Sequence, residues 1–381
     1  MKPTTLFFVC GVLAVGAAGN IQQVLAEAGE QPVVAADGTV HVPAFDMPLS
    51  RYMSELARRR FIEQARAAPP KDGGAFTSIT KSRADVDEHF RPLVARARSI
   101  YSVEVKDQKL GGVATQIVTP TAGVPAENRN RVLLNLHGGG FTVGAGLEGL
   151  LESIPVSAMG RFKVITVDYR EAPEYHFPAA SEDVASVYRE LLQHYRAENI
   201  GIYGCSAGGI LSAMAAAWLQ KTGLPTPGAI GIFGAGAFGD FEGSPANANT
   251  WGGDSRFTAP MLGQGAPPGA GSQPGELPPE MYYIGNTDPA DPLVSPALSG
   301  AVLAKFPPTL LLTGTRAYDM SAAVQTQREL TKVGVEADLH VWDGMGHCFF
   351  YDVDLPESQE AYAVMTRFFR THLRNASRHN P

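Results

Sequence analysis

Cysteine is scarce in this chain. Cys10, Cys205 and Cys348 are the only three in 381 residues. That excludes a disulfide-built scaffold and leaves an apolar core to hold the fold. Basic charge is in deficit, with 31 Lys and Arg against 38 Asp and Glu and a net charge of −7. No basic face of the kind that binds a phosphate backbone follows from that balance, so nucleic acid is not an expected partner. Long apolar runs are missing as well. A bilayer span takes about 20 apolar residues, and no segment after the N-terminus supplies them. No His or Cys cluster has metal-ligand spacing, so neither a metal nor another cofactor is expected.

What is present is globular: 44% hydrophobic and 18% charged residues, enough for one large domain or two smaller ones. The first residues have the pattern of a leader. Met1-Lys2 is followed by an apolar run from Leu6 to Val15 and by the small residues Gly16, Ala17, Ala18 and Gly19. This predicts a signal peptide over 1–28, cleaved after Ala18 or after Ala28, and a secreted or periplasmic protein with no stable membrane span after processing. An uncleaved anchor is the alternative.

Residues 29–99 carry two helical patterns, over 45–67 and about 80–98, and read as an appendage before the main domain. From 100 to 381 the texture changes. Tyr101–Lys106 and Ala114–Val118 alternate as a hairpin. Buried-strand runs then follow at 131–136, 162–167, 199–203, 229–233, 308–313 and 337–342. Helical stretches are expected at 179–197, 207–221, 320–333 and 357–374. Strands alternating with helices predict an α/β domain with a mostly parallel sheet covered on both faces. Residues 234–282, rich in Gly, Pro, Ala and Asn, read as a long loop.

Three segments carry chemistry. Gly204-Cys205-Ser206-Ala207-Gly208-Gly209 lies between a strand and a helix. A serine hydroxyl needs exposure and a neighbouring base to act as a nucleophile. A tight strand-to-helix turn gives the exposure, and small neighbours let the backbone double back. Ser206 is therefore the candidate nucleophile; a glycine-rich turn with a capping serine is the plainer reading. His137-Gly138-Gly139-Gly140-Phe141 follows a strand. Such a loop can offer backbone N–H donors to a developing oxyanion. Gly138 and Gly139 are the candidate donors, joined by Ala207. A phosphate loop is disfavoured because no Lys-Ser/Thr follows. His137 is expected to brace the loop. The third segment places His347 after the last strand, where a general base can reach Ser206.

Together these segments resemble the hormone-sensitive-lipase-like branch of the α/β-hydrolase fold. The likeness extends to Tyr169-Arg170-Glu171-Ala172-Pro173-Glu174 and covers about 100–375. It implies an N-terminal helical cap over the active site, and residues 45–98 look similar to it. It also implies carboxylic esters with short- to medium-chain acyl groups as small-molecule substrates. Two positions depart from the family pattern. The residue before the nucleophile is usually Asp, and here it is Cys205. The usual triad acid falls on Ala317, with Asp319 the nearest carboxylate. Asp319 is the candidate acid that orients His347. The alternatives are a helix N-cap role for Asp319, and Asp343 as a weaker acid.

Met261, Tyr282 and Phe349 are candidate pocket residues. Glu174 and Asp183 are expected to be structural, and Asp288 and Asp291 to be turn acids. Cys205 and Cys348 adjoin the two candidate catalytic residues. Two separate buried thiols are the expected state, and a disulfide is the alternative in an oxidising compartment. The expected activity is that of a serine carboxylesterase. A related amide, lactone or carbamate hydrolase, and a weakly active hydrolase-like binding protein, remain open.

Overall fold

The computed structural model describes residues 32–38, 40–41, 46–66, 78–239 and 283–375. The expected leader, most of the long loop, and Met261 and Tyr282 lie outside the described residues. The chain divides into two compact units, Met1–Pro48 and Leu49–Pro381. The first holds a short antiparallel pair, β1 (Val33–Val34) and β2 (Val40–His41).

The second unit opens with α1 (Glu55–Arg66) and α2 (Ile79–Ile100). α1 starts ten residues later than the sequence pattern suggests. Ser54 explains the late start, because its hydroxyl accepts the Ala57 N–H at 3.1 Å and so caps the helix. α2 is likewise capped by Ser78, which accepts from the Lys81 N–H. Its Val86, Phe90, Val94 and Ala97 form the buried stripe of an amphipathic helix.

The sheet follows: β3 (Val103–Leu110), β4 (Val113–Pro120), β5 (Val132–Leu136), β6 (Lys163–Val167), β7 (Ile200–Cys205), β8 (Ala229–Phe233), β9 (Thr309–Gly314) and β10 (Ala337–Trp342). Its order is β10-β9-β8-β7-β5-β6-β4-β3. The pairs β3/β4 and β4/β6 are antiparallel, and every other pairing is parallel. The helices between strands are α3 (Leu147–Gly160), α4 (Ala179–Leu191), α5 (Ala207–Lys221), α6 (Gly300–Leu303) and α7 (Met320–Lys332), with α8 (Pro356–His372) last.

α3 is not legible as a helix in the sequence. It contains Gly149 and Pro155, and almost every residue from Glu148 to Ser157 is buried. A helix buried all round shows no 3.6-residue stripe.

β7 runs through the middle of the sheet, and its side chains alternate between two cores. Ile200 and Ile202 face the cluster that includes Leu211, Met214 and Tyr188. Tyr203 and Cys205 face the cluster that includes Phe162, Phe233 and Phe369. Gly201 leaves room for Phe369, because a Cβ there would lie 2.9 Å from its ring.

α1 and α2 are fastened to the rest of the unit by polar contacts. Glu357 accepts from the Ser54 N–H at 2.6 Å and from its hydroxyl at 3.0 Å. Arg96 pairs with both carboxylate oxygens of Asp354. Arg83 donates to the Thr142 and Ala172 carbonyls and to Glu174. Glu174 is therefore structural, as expected. So is Asp183, which accepts from the Arg170 backbone and side chain. Phe369 is fully buried against Tyr203. Phe369→Ala is expected to cost about 3–5 kcal/mol, measured as a lower urea midpoint with an unchanged slope.

Candidate active site

Ser206 sits in the turn from β7 to α5 with φ 58° and ψ −126°. Positive φ at a non-glycine residue costs on the order of 1–3 kcal/mol and persists only where its surroundings enforce it. Two contacts enforce it here. The Ser206 N–H donates to the Phe233 carbonyl at 2.9 Å. The glycines on either side press against the end of β5: a Cβ at Gly204 would lie 2.1 Å from the Leu136 carbonyl oxygen, and one at Gly208 only 1.8 Å from it. The Gly-x-Ser-x-Gly spacing thus follows from the approach of two strand ends, and the Ser206 side chain is left facing a cavity.

His347 lies in the loop between β10 and α8. Its Nδ1 is 2.7 Å from Asp319 Oδ1. The other Asp319 oxygen accepts the Thr313 hydroxyl at 2.6 Å. Both side chains are buried, at 8% and 3% exposure, so the contact is shielded from water. Asp319 does occupy the N-cap position of α7, but its side chain makes no capping hydrogen bond. Its carboxylate is turned to His347 instead. Ala317 is fully buried and carries no acid. Asp343 does not meet His347; it accepts from the Ser50 and Thr315 hydroxyls.

With Nδ1–H donated to Asp319, the Nε2 of His347 is an acceptor. The Tyr318 hydroxyl lies 3.1 Å from it. The two rings also pack at a centroid distance of 4.5 Å. Sequence reading gave Tyr318 no role; its place next to Asp319 was the available signal.

Ser206, His347 and Gly139 line one cavity of about 520 Å³. Gly138 and Ala207 are buried but do not line it. The wall from the α1 side and from α2 combines the apolar Met53, Ala57, Phe61, Val86, Phe90 and Leu93 with the polar Arg60, Glu63, Gln64 and His89. Phe349 lines it as expected, beside Met345, Tyr351 and Leu355. Gly139, Gly140 and Phe141 all have positive φ, which curls the loop after β5, and Gly139 and Val143 of this loop line the cavity.

Behind this loop lies a buried polar layer. His137 is stacked on Tyr169 at 4.1 Å with an interplanar angle of 6°. Burial pushes its pKa down to about 4, so the ring is neutral at physiological pH. The Tyr169 hydroxyl donates to the His137 carbonyl at 2.7 Å. His137 therefore braces the loop.

Glu148 and Glu152, one turn apart on α3, both lie within hydrogen-bond distance of the single Tyr351 hydroxyl, at 3.0 and 2.8 Å. Glu152 also accepts the Cys205 N–H at 3.1 Å and an Asn135 N–H at 2.8 Å. A carboxyl group thus supports the serine turn although residue 205 is not an acid. Burial raises the pKa of Glu148 to about 8 and that of Glu152 well above the usual carboxyl range. These residues escaped the sequence reading. Two acids four apart in an apolar stretch were the only clue.

The expectation of two free thiols is overturned: Cys205 and Cys348 form a disulfide. The reason is spatial. β7 ends beside the loop that follows β10, which brings the two Cα atoms to 6.2 Å, a separation a disulfide bridges readily. Asp288 and Asp291 are turn acids, accepting from the Ala290 and Leu293 N–H groups. Among the described residues no group of three or more His, Cys, Asp and Glu is placed to hold a metal ion.

Residues 133–351 match a family model described as alpha/beta hydrolase fold. An acetyl-hydrolase of Streptomyces hygroscopicus is 29% identical over 249 residues, covering 65% of this chain and 78% of the relative. The crystal structure of an esterase superposes with a TM-score of 0.73 at 28% identity, covering 88% of this chain and 99% of the other. An esterase from the bacterial hormone-sensitive lipase family superposes with a TM-score of 0.63 at 25% identity, covering 84% of this chain and 99% of the other.

The raised Glu148 pKa ties stability to pH. The folded protein keeps this proton up to about pH 8, whereas the unfolded chain releases it near 4.5. The contribution is therefore complete below 4.5 and is lost as pH rises through about 8. In urea unfolding, Glu148→Gln is expected to gain stability relative to the native protein between pH 5 and pH 8. A difference independent of pH would show Glu148 ionised throughout.

The sheet order, the serine turn and the glycine loop converge with these likenesses on one assignment: the chain belongs to the α/β-hydrolase fold family, in its hormone-sensitive-lipase-like esterase branch.

Proposed function

We propose that the protein is a serine carboxylesterase for esters with short- to medium-chain acyl groups, using Ser206 as nucleophile, His347 as base and Asp319 as the orienting acid. The observation that carries this reading is the 2.7 Å contact between Asp319 Oδ1 and His347 Nδ1, at the edge of the cavity that Ser206 lines.

The chemistry follows from the geometry. Asp319 holds the Nδ1–H tautomer of His347, which leaves Nε2 free to accept a proton. Substrate entry displaces the Tyr318 hydroxyl from Nε2. Ser206 Oγ attacks the ester carbonyl as its proton passes to Nε2. Backbone N–H groups of Gly138, Gly139 and Ala207 receive the oxyanion, and the helix N-terminus at Ala207 adds its positive end. His347 returns the proton to the leaving alcohol. Water then attacks the acyl-enzyme, with His347 again the base, and Ser206 is regenerated. No cofactor enters these steps.

The cavity volume and its wall from α1 and α2 support an acyl group of modest length. Pockets for small ligands typically span roughly 300–1,000 Å³. On this reading residues 29–99 contribute the cap and 100–381 the catalytic domain. The disulfide also supports export to an oxidising compartment, which accords with a leader over 1–28.

A weakly active binding protein was left open by Ala317, since a missing triad acid can cost about four orders of magnitude in rate. The position of Asp319 argues against it. Ser206→Ala is expected to abolish p-nitrophenyl butyrate hydrolysis and labelling by a fluorophosphonate. Asp319→Asn is expected to lower kcat by about three to four orders of magnitude with folding intact. Full activity in Asp319→Asn would return that residue to a capping role.

A further inference from the structure

The disulfide joins residues 143 apart in sequence. One partner immediately precedes Ser206 and the other immediately follows His347. We propose that the Cys205–Cys348 disulfide is a positioning clamp for the Ser206–His347 pair, so that ester turnover requires the oxidised form and is lost reversibly on reduction. The inference rests on the serine mechanism proposed above.

Three observations carry it. The first is strain. Ser206 has φ 58°, and Cys348 is left-handed with φ 46° and ψ 35°. Neither is glycine, and such conformations need external restraint. The disulfide joins the two strained segments directly.

The second is where the histidine loop is otherwise anchored. Gly344 N–H donates to the Thr315 hydroxyl, and Arg316 N–H donates to the Met345 carbonyl. Both bonds tie the loop to the turn after β9, which carries Asp319. They fix His347 to its acid; towards the turn that carries the nucleophile the loop has an indirect polar link, Tyr351 through Glu152 to the Cys205 N–H, and one direct covalent link, the disulfide. Gly234 marks how closely these groups gather. A Cβ there would lie 2.9 Å from Cys205 Sγ, 3.1 Å from Cys348 Sγ and 3.1 Å from His347 Cε1.

The third is access. Cys348 lines the substrate cavity, whereas Cys205 is fully buried. A small dithiol can therefore reach Cys348 Sγ by the substrate's route. Its thiolate attacks that sulfur, forms a mixed disulfide and expels Cys205 as the leaving thiolate, which takes up a proton. The second thiol then closes a ring on the reductant and releases Cys348 as a thiol. Two electrons and two protons pass to the protein, and the reductant leaves as a cyclic disulfide.

The acyl wall comes from α1 and α2, which the disulfide does not join, so binding and chemistry should separate. A misplacement of about 1 Å between reacting groups costs on the order of 10²-fold in rate.

The test treats the full-length native protein with dithiothreitol, assays p-nitrophenyl butyrate hydrolysis, and maps the cysteines of the same sample by alkylation and mass spectrometry. Reduction at Cys205 and Cys348 is expected to lower kcat at least tenfold while KM stays within twofold. The circular dichroism should not change, and reoxidation should restore the rate. If the disulfide only held the fold, its reduction would lower the melting temperature and leave kcat at 25 °C intact. The Cys205→Ser/Cys348→Ser double variant should match the reduced enzyme and be insensitive to dithiothreitol. Full kcat in the reduced protein or in the folded double variant overturns the proposal. So does a bond that dithiothreitol cannot reach in the folded enzyme. If the oxidised protein fails to react with a fluorophosphonate, the underlying serine mechanism has failed instead.

Discussion

The site depends on one close approach, between the ends of the parallel neighbours β5 and β7. The Leu136 carbonyl lies where a side chain at either Gly204 or Gly208 would have to go. Backbone meets backbone there without intervening Cβ atoms, and only glycine permits that. The contact forces the chain to reverse sharply at Ser206, and it sets the glycine loop after β5 beside the serine turn. The nucleophile candidate and the donor loop are thereby placed by the same contact, before any side-chain chemistry is considered. The two cores on either side of β7 then hold the strand ends in register.

Carboxylates around this frame are displaced from their usual family positions, and the structure shows what takes their place. Residue 205 is a cysteine, yet its N–H still meets a carboxyl oxygen, from Glu152 on a neighbouring helix. Residue 317 is an alanine, yet the histidine still meets a carboxylate, from Asp319. A short turn makes the second replacement possible. Met320 N–H bonds back to the Ala317 carbonyl, so two residues of chain travel little distance and Asp319 still reaches the ring. The first replacement has a cost, since Glu152 and Glu148 are buried together on one tyrosine hydroxyl. Burial of that kind favours the protonated acids.

Much of this was legible in the sequence. The strands of the parallel sheet announce themselves as short apolar runs. The serine turn and the glycine loop carry spacing that backbone sterics require. The Asp319 contact could be anticipated because chain proximity limits where a carboxylate can go. Other features were hidden for physical reasons. α3 is buried on all sides and shows no periodic face. Tyr318, Tyr351 and the two glutamates act through contacts between distant segments, which no local pattern encodes. The disulfide depends on how closely β7 approaches the loop after β10, a distance set by the tertiary fold alone.

Tyr318 gives the resting site a particular character. A phenol already occupies the imidazole nitrogen that, on the proposed mechanism, later faces the serine. That nitrogen thus meets a hydroxyl of the protein itself in this state. Catalysis would then begin with an exchange of hydrogen-bond donors, tyrosine for serine, in which one bond is broken as another forms. The reorganisation usually asked of water is assigned to a side chain with a fixed address, and the site can idle without leaving its most reactive atom unpartnered.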